Sequence, residues 1–161
     1  MCSESPGVLE ELRARLRALE DRADIAQVIA AYGPAVDSGD AEAAAALWTD
    51  DGRYDTDPTP LVGAQAIAGM VNGPLHQDII GSGSGHVLGP VHITVTGDSA
   101  VAVGYSLLVR HGTEGFAITR CSANRWELSR IGGKWKVVWR RNALLDGRAS
   151  ARELLRPDRS A

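Results

Sequence analysis

The chain has 161 residues, 44% of them hydrophobic, which suits one domain that buries a core without disulfides or a structural metal. The formal net charge is −3 with acidic and basic residues interleaved, so the sequence lacks the basic stripe that binds nucleic acid and the lysine-rich tract that binds membranes. It also lacks a recognisable signal peptide, an apolar run of membrane-spanning length and a pair of nearby cysteines, so we expect a cytoplasmic protein with no metal site.

The first predicted element is a long amphipathic helix. Residues 1–7 are small and polar and predict a disordered tail, and the single domain is expected over residues 8–156. Apolar residues then recur at three- and four-residue steps, which places them on one helix face. They are Leu9, Leu12, Leu16, Leu19, Ile25, Val28, Ile29, Tyr32 and Val36. A break near Asp21 is an alternative to one continuous helix.

Shorter elements follow in the middle of the chain. Asp40 is a suitable cap for an alanine-rich second helix, and residues 49–52 form a predicted turn. Residues 53–56 predict a short strand, and residues 62–72 predict a third helix. A glycine-rich loop at residues 81–85 then separates the helices from the strands.

After this loop the hydrophobic period changes from 3.6 to 2, which is typical of strands with one apolar face. Glycine-containing turns separate four such segments, and a short helix near residues 149–155 ends the pattern. The segments contain residues 91–96, 101–109, 116–128 and 134–145. Helices followed by a four-stranded antiparallel meander predict an α+β fold, with a helix pair packed into the concave side of a curved sheet.

Candidate catalytic residues are polar side chains at positions that the pattern reserves for apolar ones, where an unpaired polar group is costly. Asp37 borders the apolar stripe at the end of the first helix, either aimed into the domain or exposed before the next glycine turn. His111 extends the apolar face of its strand, with a half-exposed place near the hairpin as the alternative. His86 opens the first long strand, where Gly89-Pro90 predicts a bulge that resets the alternation. His76 is expected in a loop.

Candidate substrate-binding residues lie on the last two long strands. The even positions of residues 116–128 are apolar at both ends and hydrogen-bonding in the middle, at Arg120, Ser122 and Asn124. Such a face suits a ligand pocket, and the small odd positions facing inward are the alternative. In the last strand Arg141 shares a face with tryptophans, where it either binds substrate or pairs with a carboxylate at the rim.

Several motifs resemble the SnoaL-like branch of the nuclear transport factor 2 superfamily, over about residues 15–146. They are the opening Leu19-Glu20-Asp21-Arg22-Ala23-Asp24-Ile25, the spacing of Tyr32 and Asp37, and the ending Gly-Lys-Trp-Lys-Val-Val-Trp. The separation of His86 from His111 and the Ser122-Ala123-Asn124 motif resemble scytalone dehydratases. Tyr32, Asp37, His86 and Arg141 also fit the pattern of bile-acid 7α-dehydratases.

This resemblance implies a cone-shaped domain that works as a cofactor-independent dehydratase. The expected substrate is a small, hydrophobic, hydroxylated cyclic ketone such as a polyketide or steroid-like ring. A homo-oligomer, either a dimer or a trimer, is expected because relatives associate and the outer face of the sheet needs a cover.

The resemblance also assigns roles to the candidate residues. His86 is expected to be the base, with Asp37 fixing its tautomer and His111 assisting the leaving group. Ser122 and Asn124 are expected to hold substrate oxygens, with Arg141 as a further substrate contact. Tyr32 or Tyr54 is expected to polarise the carbonyl, because Val36 stands where scytalone dehydratases have a tyrosine before the aspartate.

Two other functions fit the same residues. A polyketide cyclase or a ketosteroid-type isomerase also begins with removal of a proton next to a carbonyl, so these residues do not separate them from a dehydratase. A non-catalytic ligand-binding or assembly protein is the alternative from a different class. The tryptophans of the last strands suit an interface as well as a pocket wall.

Overall fold

The computed structural model describes residues 6–56 and 59–156, and within these ranges the chain forms five helices and six strands. The helices are α1 (Pro6–Asp37), α2 (Ala41–Ala46), α3 (Ala64–Asn72), α4 (Pro74–Gly81) and α5 (Ala149–Leu154). The strands are β1 (Trp48–Asp55), β2 (Leu61–Val62), β3 (Ser84–Thr96), β4 (Ser99–Gly112), β5 (Gly115–Ile131) and β6 (Lys134–Leu144).

The six strands form one curved sheet in the order β2-β1-β6-β5-β4-β3. Strands β3 to β6 are the predicted antiparallel meander, and β1 adds to β6 in a parallel pairing. Ile25, Ile29 and Val36 of α1 pack in one core with Trp126 and Val137 of the sheet. The predicted α+β architecture, with helices packed against a curved sheet, is therefore confirmed. None of the helices in the described ranges combines the length and hydropathy needed to cross a membrane.

Helix α1 runs without a break for 32 residues. The alternative of a break near Asp21 is wrong, because this residue anchors the helix to the sheet. Its carboxylate accepts hydrogen bonds from the Arg130 guanidinium of β5 at 2.6 Å and from the Trp135 indole of β6 at 3.2 Å. The Arg130 hydrogen bond holds the pKa of Asp21 below its ordinary value. Residues 7–20 before this anchor are exposed, so only the second half of α1 packs on the sheet.

Three local differences from the sequence-based prediction concern the elements before the meander. The predicted tail overlaps α1 at Pro6 and Gly7, and residues 1–5 lie outside the described residues. The predicted turn at residues 49–52 belongs to β1, as an irregular stretch in its pairing with β6. His76, which was predicted in a loop, lies in α4, and this helix begins at Pro74 because proline suits the first position of a helix.

Three irregularities in strand pairing decide which side chains face the concave side. The predicted bulge at Gly89-Pro90 of β3 is confirmed by its change of register. Thr119 is the unpaired residue of β5, and Val138 is the unpaired residue of β6. Each inserted residue moves the side chains beyond it to the opposite face of the sheet.

Gly33 lets α1 lie directly on β3. A Cβ atom at this position would approach the His86 carbonyl oxygen to well under 3.0 Å, a distance that real Cβ contacts do not reach. Only glycine therefore permits this approach. The contact brings the end of α1 beside the start of β3, where the candidate site lies.

Candidate functional site

A cavity of about 460 Å³ lies between the concave face of the sheet and helices α1, α3 and α4. Its apolar wall includes Leu61, Met70, Leu75, Ile79, Leu88 and Leu108. Its polar side chains are Tyr32, Tyr54, Thr56, Thr59, His76, His86, Ser106, Arg120, Arg140 and Asn142. An apolar chamber with a few converging polar groups is the usual form of a small-molecule site.

The structure brings Asp37 and His86 together. The Asp37 carboxylate accepts two hydrogen bonds of 2.6 Å, one from the His86 backbone N–H and one from the His86 ring at Nδ1. A carboxylate can only accept here, so Nδ1 carries the ring proton and the neutral imidazole keeps its lone pair on Nε2. Both side chains are about a quarter exposed, and His86 lines the cavity. An imidazole held in this tautomer by a carboxylate can act as a general base.

His76 is a site residue that sequence analysis missed. It is buried in α4, and its Nε2 donates to the Val36 carbonyl oxygen at 2.7 Å, one residue before Asp37. Its ring also stacks on His86, with 5.7 Å between the ring centroids. A usable signal was present: Pro74 begins a helix, and three- and four-residue steps place His76 on one face with Ile79 and Ile80.

Arg140 lies under the aromatic wall of the cavity. Its guanidinium carbon is 4.3 Å from the Tyr32 ring centroid, 4.6 Å from that of Tyr54 and 4.2 Å from that of Trp126. Burial raises the pKa of the Tyr32 hydroxyl, and the neighbouring Tyr54 raises it further. Tyr32 therefore stays protonated and able to donate a hydrogen bond. Both predicted tyrosines line the cavity.

Ser122 and Asn124 lie beneath the cavity wall rather than in it. Both are buried, and neither lines the cavity, so the predicted direct contact with substrate is not supported. The Ser122 hydroxyl accepts a hydrogen bond from Arg120 at 3.1 Å. Asn124 accepts bonds from Arg140 at 2.8 and 3.0 Å and one from Asn142 at 3.0 Å. These two residues orient the polar side chains that do line the cavity.

His111 is not part of this site, which corrects the prediction. Ala100 and Ala102 of β4 belong to the core whereas Tyr105 is exposed, so the even positions of this strand point inward. His111 stands at an odd position, its side chain is exposed, and its ring packs against Phe116 with centroids 5.0 Å apart. The alternation in β4 identified a bulky apolar face correctly, but that face is the outer one.

Arg141 is also placed outside the cavity. Its guanidinium pairs with Glu127 and stacks on Trp139, at 4.3 Å from the ring centroid. The physical reason is the bulge at Val138, which reverses the alternation and turns Arg140 inward instead. The alternative that Arg141 pairs with a carboxylate is the correct one.

A family comparison agrees with this architecture. The model of the SnoaL-like domain matches residues 17–141 of the chain. The chain belongs to the SnoaL-like family. The sequence-based resemblance is thereby confirmed at the level of the family, and no curated protein sequence matches the chain. Among the described residues, no group of three His, Cys, Asp or Glu side chains is arranged to hold a metal ion.

Solved structures extend the comparison. An NTF2-like protein with a cystatin-like fold from Novosphingobium aromaticivorans is 46% identical, with a TM-score of 0.90 over 92% of this chain and 97% of the other. A putative aromatic ring hydroxylase from the same organism is 25% identical, with a TM-score of 0.66 over 79% of this chain and 90% of the other.

A hexachlorocyclohexane dehydrochlorinase, LinA-type3, from Novosphingobium barchaimii is 19% identical. Its TM-score is 0.71, over 81% of this chain and 90% of the other. At this identity the likeness shows a shared fold. The structures that share the fold thus include a small-molecule-converting enzyme, and fold alone does not assign its reaction to this chain.

Proposed function

We propose that this protein is a cofactor-independent lyase that removes water from a small, hydrophobic, hydroxylated cyclic ketone, such as a polyketide or steroid-like ring. The observation that carries the proposal is the Asp37–His86 pair, which leaves a free imidazole nitrogen at an apolar cavity. The dehydrochlorinase among the structural neighbours supports elimination chemistry on this fold.

His86 is the proposed base. Its Nε2 removes the acidic proton next to the substrate carbonyl, and the Asp37 carboxylate stabilises the imidazolium that forms. The leucine-rich walls of the cavity reduce the contact of the pair with water, which strengthens this interaction relative to the same pair in solvent.

The tyrosines are the proposed partners of the substrate carbonyl. Removal of the proton places negative charge on the carbonyl oxygen, which needs a donor that is already in position. Tyr32 and Tyr54 line the cavity, and the Arg140 guanidinium lies against both rings. Its positive charge favours an anionic oxygen beside the two hydroxyl groups.

The departure of the hydroxyl group completes the reaction. The electrons of the enolate form the new carbon–carbon double bond as the β-carbon–oxygen bond breaks. The departing oxygen takes the proton from His86, so the products are one unsaturated ketone and one water. A single imidazole near neutral pKa can act first as base and then as acid, so the role predicted for His111 falls to His86.

Turnover of 3-hydroxy-1-tetralone tests the proposal, because loss of water converts this ketone to 1-naphthol. We expect the wild-type protein to accelerate the reaction above its spontaneous rate. His86→Gln removes the base, and Asp37→Asn lets an amide N–H donate to Nδ1 and so reverse the tautomer. Each is expected to lower the rate by about 10²–10⁴-fold, as measured by naphthol fluorescence and product mass.

Two histidine variants are the controls. His92 is exposed on the same strand as His86, and His111 is exposed at the end of β4, so His92→Gln and His111→Gln are expected to keep the wild-type rate. Unchanged turnover in both Asp37→Asn and His86→Gln would contradict the assignment.

Proton exchange separates the proposal from its alternatives. The ketone 1-tetralone has no leaving group, so exchange of its C2 protons in deuterated water reports the base alone. Exchange on 1-tetralone without water loss from the hydroxyketone favours a cyclase or an isomerase. If neither proton exchange nor water loss occurs and both ketones bind tightly, the result favours a ligand-binding protein.

A further inference from the structure

The cavity is lined by two arginines, Arg120 and Arg140, and no Asp or Glu among the described residues lines it. Within residues 6–56 and 59–156, no carboxylate oxygen lies within 4.0 Å of a nitrogen of Arg120 or Arg140. Other arginines of the sheet have acidic partners, as Arg130 has in Asp21 and Arg141 has in Glu127. The chain has 20 acidic residues, so a shortage of carboxylates does not explain the difference.

Neutral oxygens hold both guanidinium groups in place. Arg120 donates from Nε to Ser122 at 3.1 Å and from Nη2 to the Asn142 side-chain oxygen at 2.8 Å. Arg140 donates to Asn124, is only 3% exposed, and has one nitrogen, Nη1, without a hydrogen-bond partner among the described residues. Neutral acceptors orient these groups without supplying an opposite charge, and the aromatic rings against Arg140 stabilise its cation only in part. A guanidinium without a carboxylate partner is costly in a cavity. The positive excess is complementary to an anion.

Strand register places Arg120 relative to the proposed base. Arg120 of β5 is paired with Leu108 of β4, which is paired with His86 of β3. Directly paired residues point to the same face, so all three side chains line one wall of the cavity. Two strand spacings put the Arg120 and His86 backbones about 10 Å apart. Leu108 offers an apolar surface between them.

We infer that the substrate is a cyclic keto acid, whose ring lies over Leu108 and whose carboxylate binds Arg120 while its reacting carbon meets His86. The carboxylate supplies a negative charge that no described residue places against Arg120, and Arg140 adds its field from behind the aromatic wall of the cavity. The reacting end of this arrangement rests on the proposed function. The anion site rests only on the two arginines, for which no described residue supplies a carboxylate partner.

Binding of 2-naphthoate and 2-naphthamide tests the inference, because the two probes share ring and shape and differ in charge at neutral pH. Isothermal titration is expected to show naphthoate binding at least about tenfold more tightly to the wild-type protein, the usual scale of one added ion-paired hydrogen bond. Arg120→Met is expected to bring naphthoate to the affinity of the amide and to leave the amide unchanged. Arg120→Lys, which keeps the charge, is expected to retain part of the preference.

Arg110→Met is the matched control, because Arg110 lies on β4 outside the cavity and contacts Ser82 and Asp78 at the surface. It is expected to keep the wild-type preference. Equal affinity of both probes for the wild-type protein would overturn the inference, and this result needs no variant to fold. A preference that survives in a folded Arg120→Met protein would overturn it as well.

The catalytic variants separate this inference from the proposed function. Asp37→Asn and His86→Gln leave both arginines in place and are expected to keep the preference for naphthoate. Preference without turnover of either 3-hydroxy-1-tetralone or the same ketone bearing a carboxylate on its aromatic ring contradicts the lyase and supports the anion site. Turnover without preference supports the lyase and contradicts the anion site.

Discussion

His76, from helix α4, supports the candidate catalytic pair of Asp37 and His86. It donates to the carbonyl of Val36, beside Asp37, and its ring stacks on His86. We expect His76→Leu to lower kcat about tenfold with little change in KM, because the base loses its alignment while the cavity walls remain. The loss of one buried hydrogen bond also costs about 1–3 kcal/mol of stability. Steady-state kinetics on the tetralone and thermal unfolding measure the two effects.

His76→Gln separates positioning from a purely structural role. Glutamine can still donate to the Val36 carbonyl but has no ring to stack on His86. We expect it to restore stability and only part of kcat. Wild-type kcat in a folded His76→Leu protein would show that the histidine has no positioning role.

The sequence located the central pair of the site and the two tyrosines, but it misplaced or missed other residues around them. Asp37 and His86 were found because each stands at an element boundary beside an apolar pattern. Arg141 was placed on the inward face with Trp135 because an unbroken strand alternates strictly, and the bulge at Val138 breaks that rule. Ser122 and Asn124 were placed on the correct face of β5, but burial depth is a property of packing that alternation does not report.

At the scale of elements, the approach of α1 to β3 sets the geometry of the pair. Gly33→Ala puts a methyl group against the His86 carbonyl, so the helix and strand must separate. The two hydrogen bonds between Asp37 and His86 span the same gap. We expect this variant to lose about 1–3 kcal/mol of stability, as overpacking does, and to lose most of its turnover. Urea unfolding and the tetralone assay measure both.

Gly69→Ala is the matched control for this prediction. Gly69 lies inside α3, and a Cβ atom there meets no atom within 4 Å. Alanine is a better helix former than glycine, so this variant is expected to gain about 0.5–1 kcal/mol and to keep its activity. Equal stability and activity in both variants would contradict the close approach at Gly33.

The alternation of apolar and polar residues predicted the strands but not all of the bulges within them. The four long strands and their order were predictable because alternation and glycine turns bound each of them. The bulge at Gly89-Pro90 was predictable because proline cannot donate to a strand pairing. Thr119 and Val138 are ordinary strand residues, so nothing local marks their bulges. The bulge at Thr119 reverses the alternation of β5. Phe116 and Ile118, at the apolar end of the face predicted for the pocket, are therefore 75% and 61% exposed.

At the scale of the whole molecule, the exposed half of α1 presents an unpaired apolar stripe. Leu9, Leu12, Leu16 and Leu19 are between 44% and 65% exposed. Their steps of three, four and three residues match the seam of a coiled coil, which a second copy of the helix can cover. We expect a dimer or trimer in solution, and Leu12→Glu with Leu16→Glu is expected to give a monomer. Light scattering after size-exclusion chromatography measures the mass.

Ala14→Glu with Ala18→Glu is the control for association. It adds the same charge to the same exposed segment, but away from the leucine seam. This variant is expected to keep the wild-type mass. A wild-type monomer, or an oligomer that survives both leucine substitutions, would contradict association through α1.

The unbroken course of α1 has a consequence for how the length of this chain can vary. Each residue added to or removed from a helix turns everything beyond it by about 100° and shifts it by about 1.5 Å. The leucine seam lies at one end of this helix and Asp37 at the other, and Asp21, which binds the helix to the sheet, lies between them. A single residue inserted between Asp21 and Asp37 would rotate the Asp37 carboxylate away from the His86 imidazole. A residue inserted before Asp21 would change only the direction in which the leucine seam faces. Natural length changes in this helix should therefore fall on the N-terminal side of Asp21.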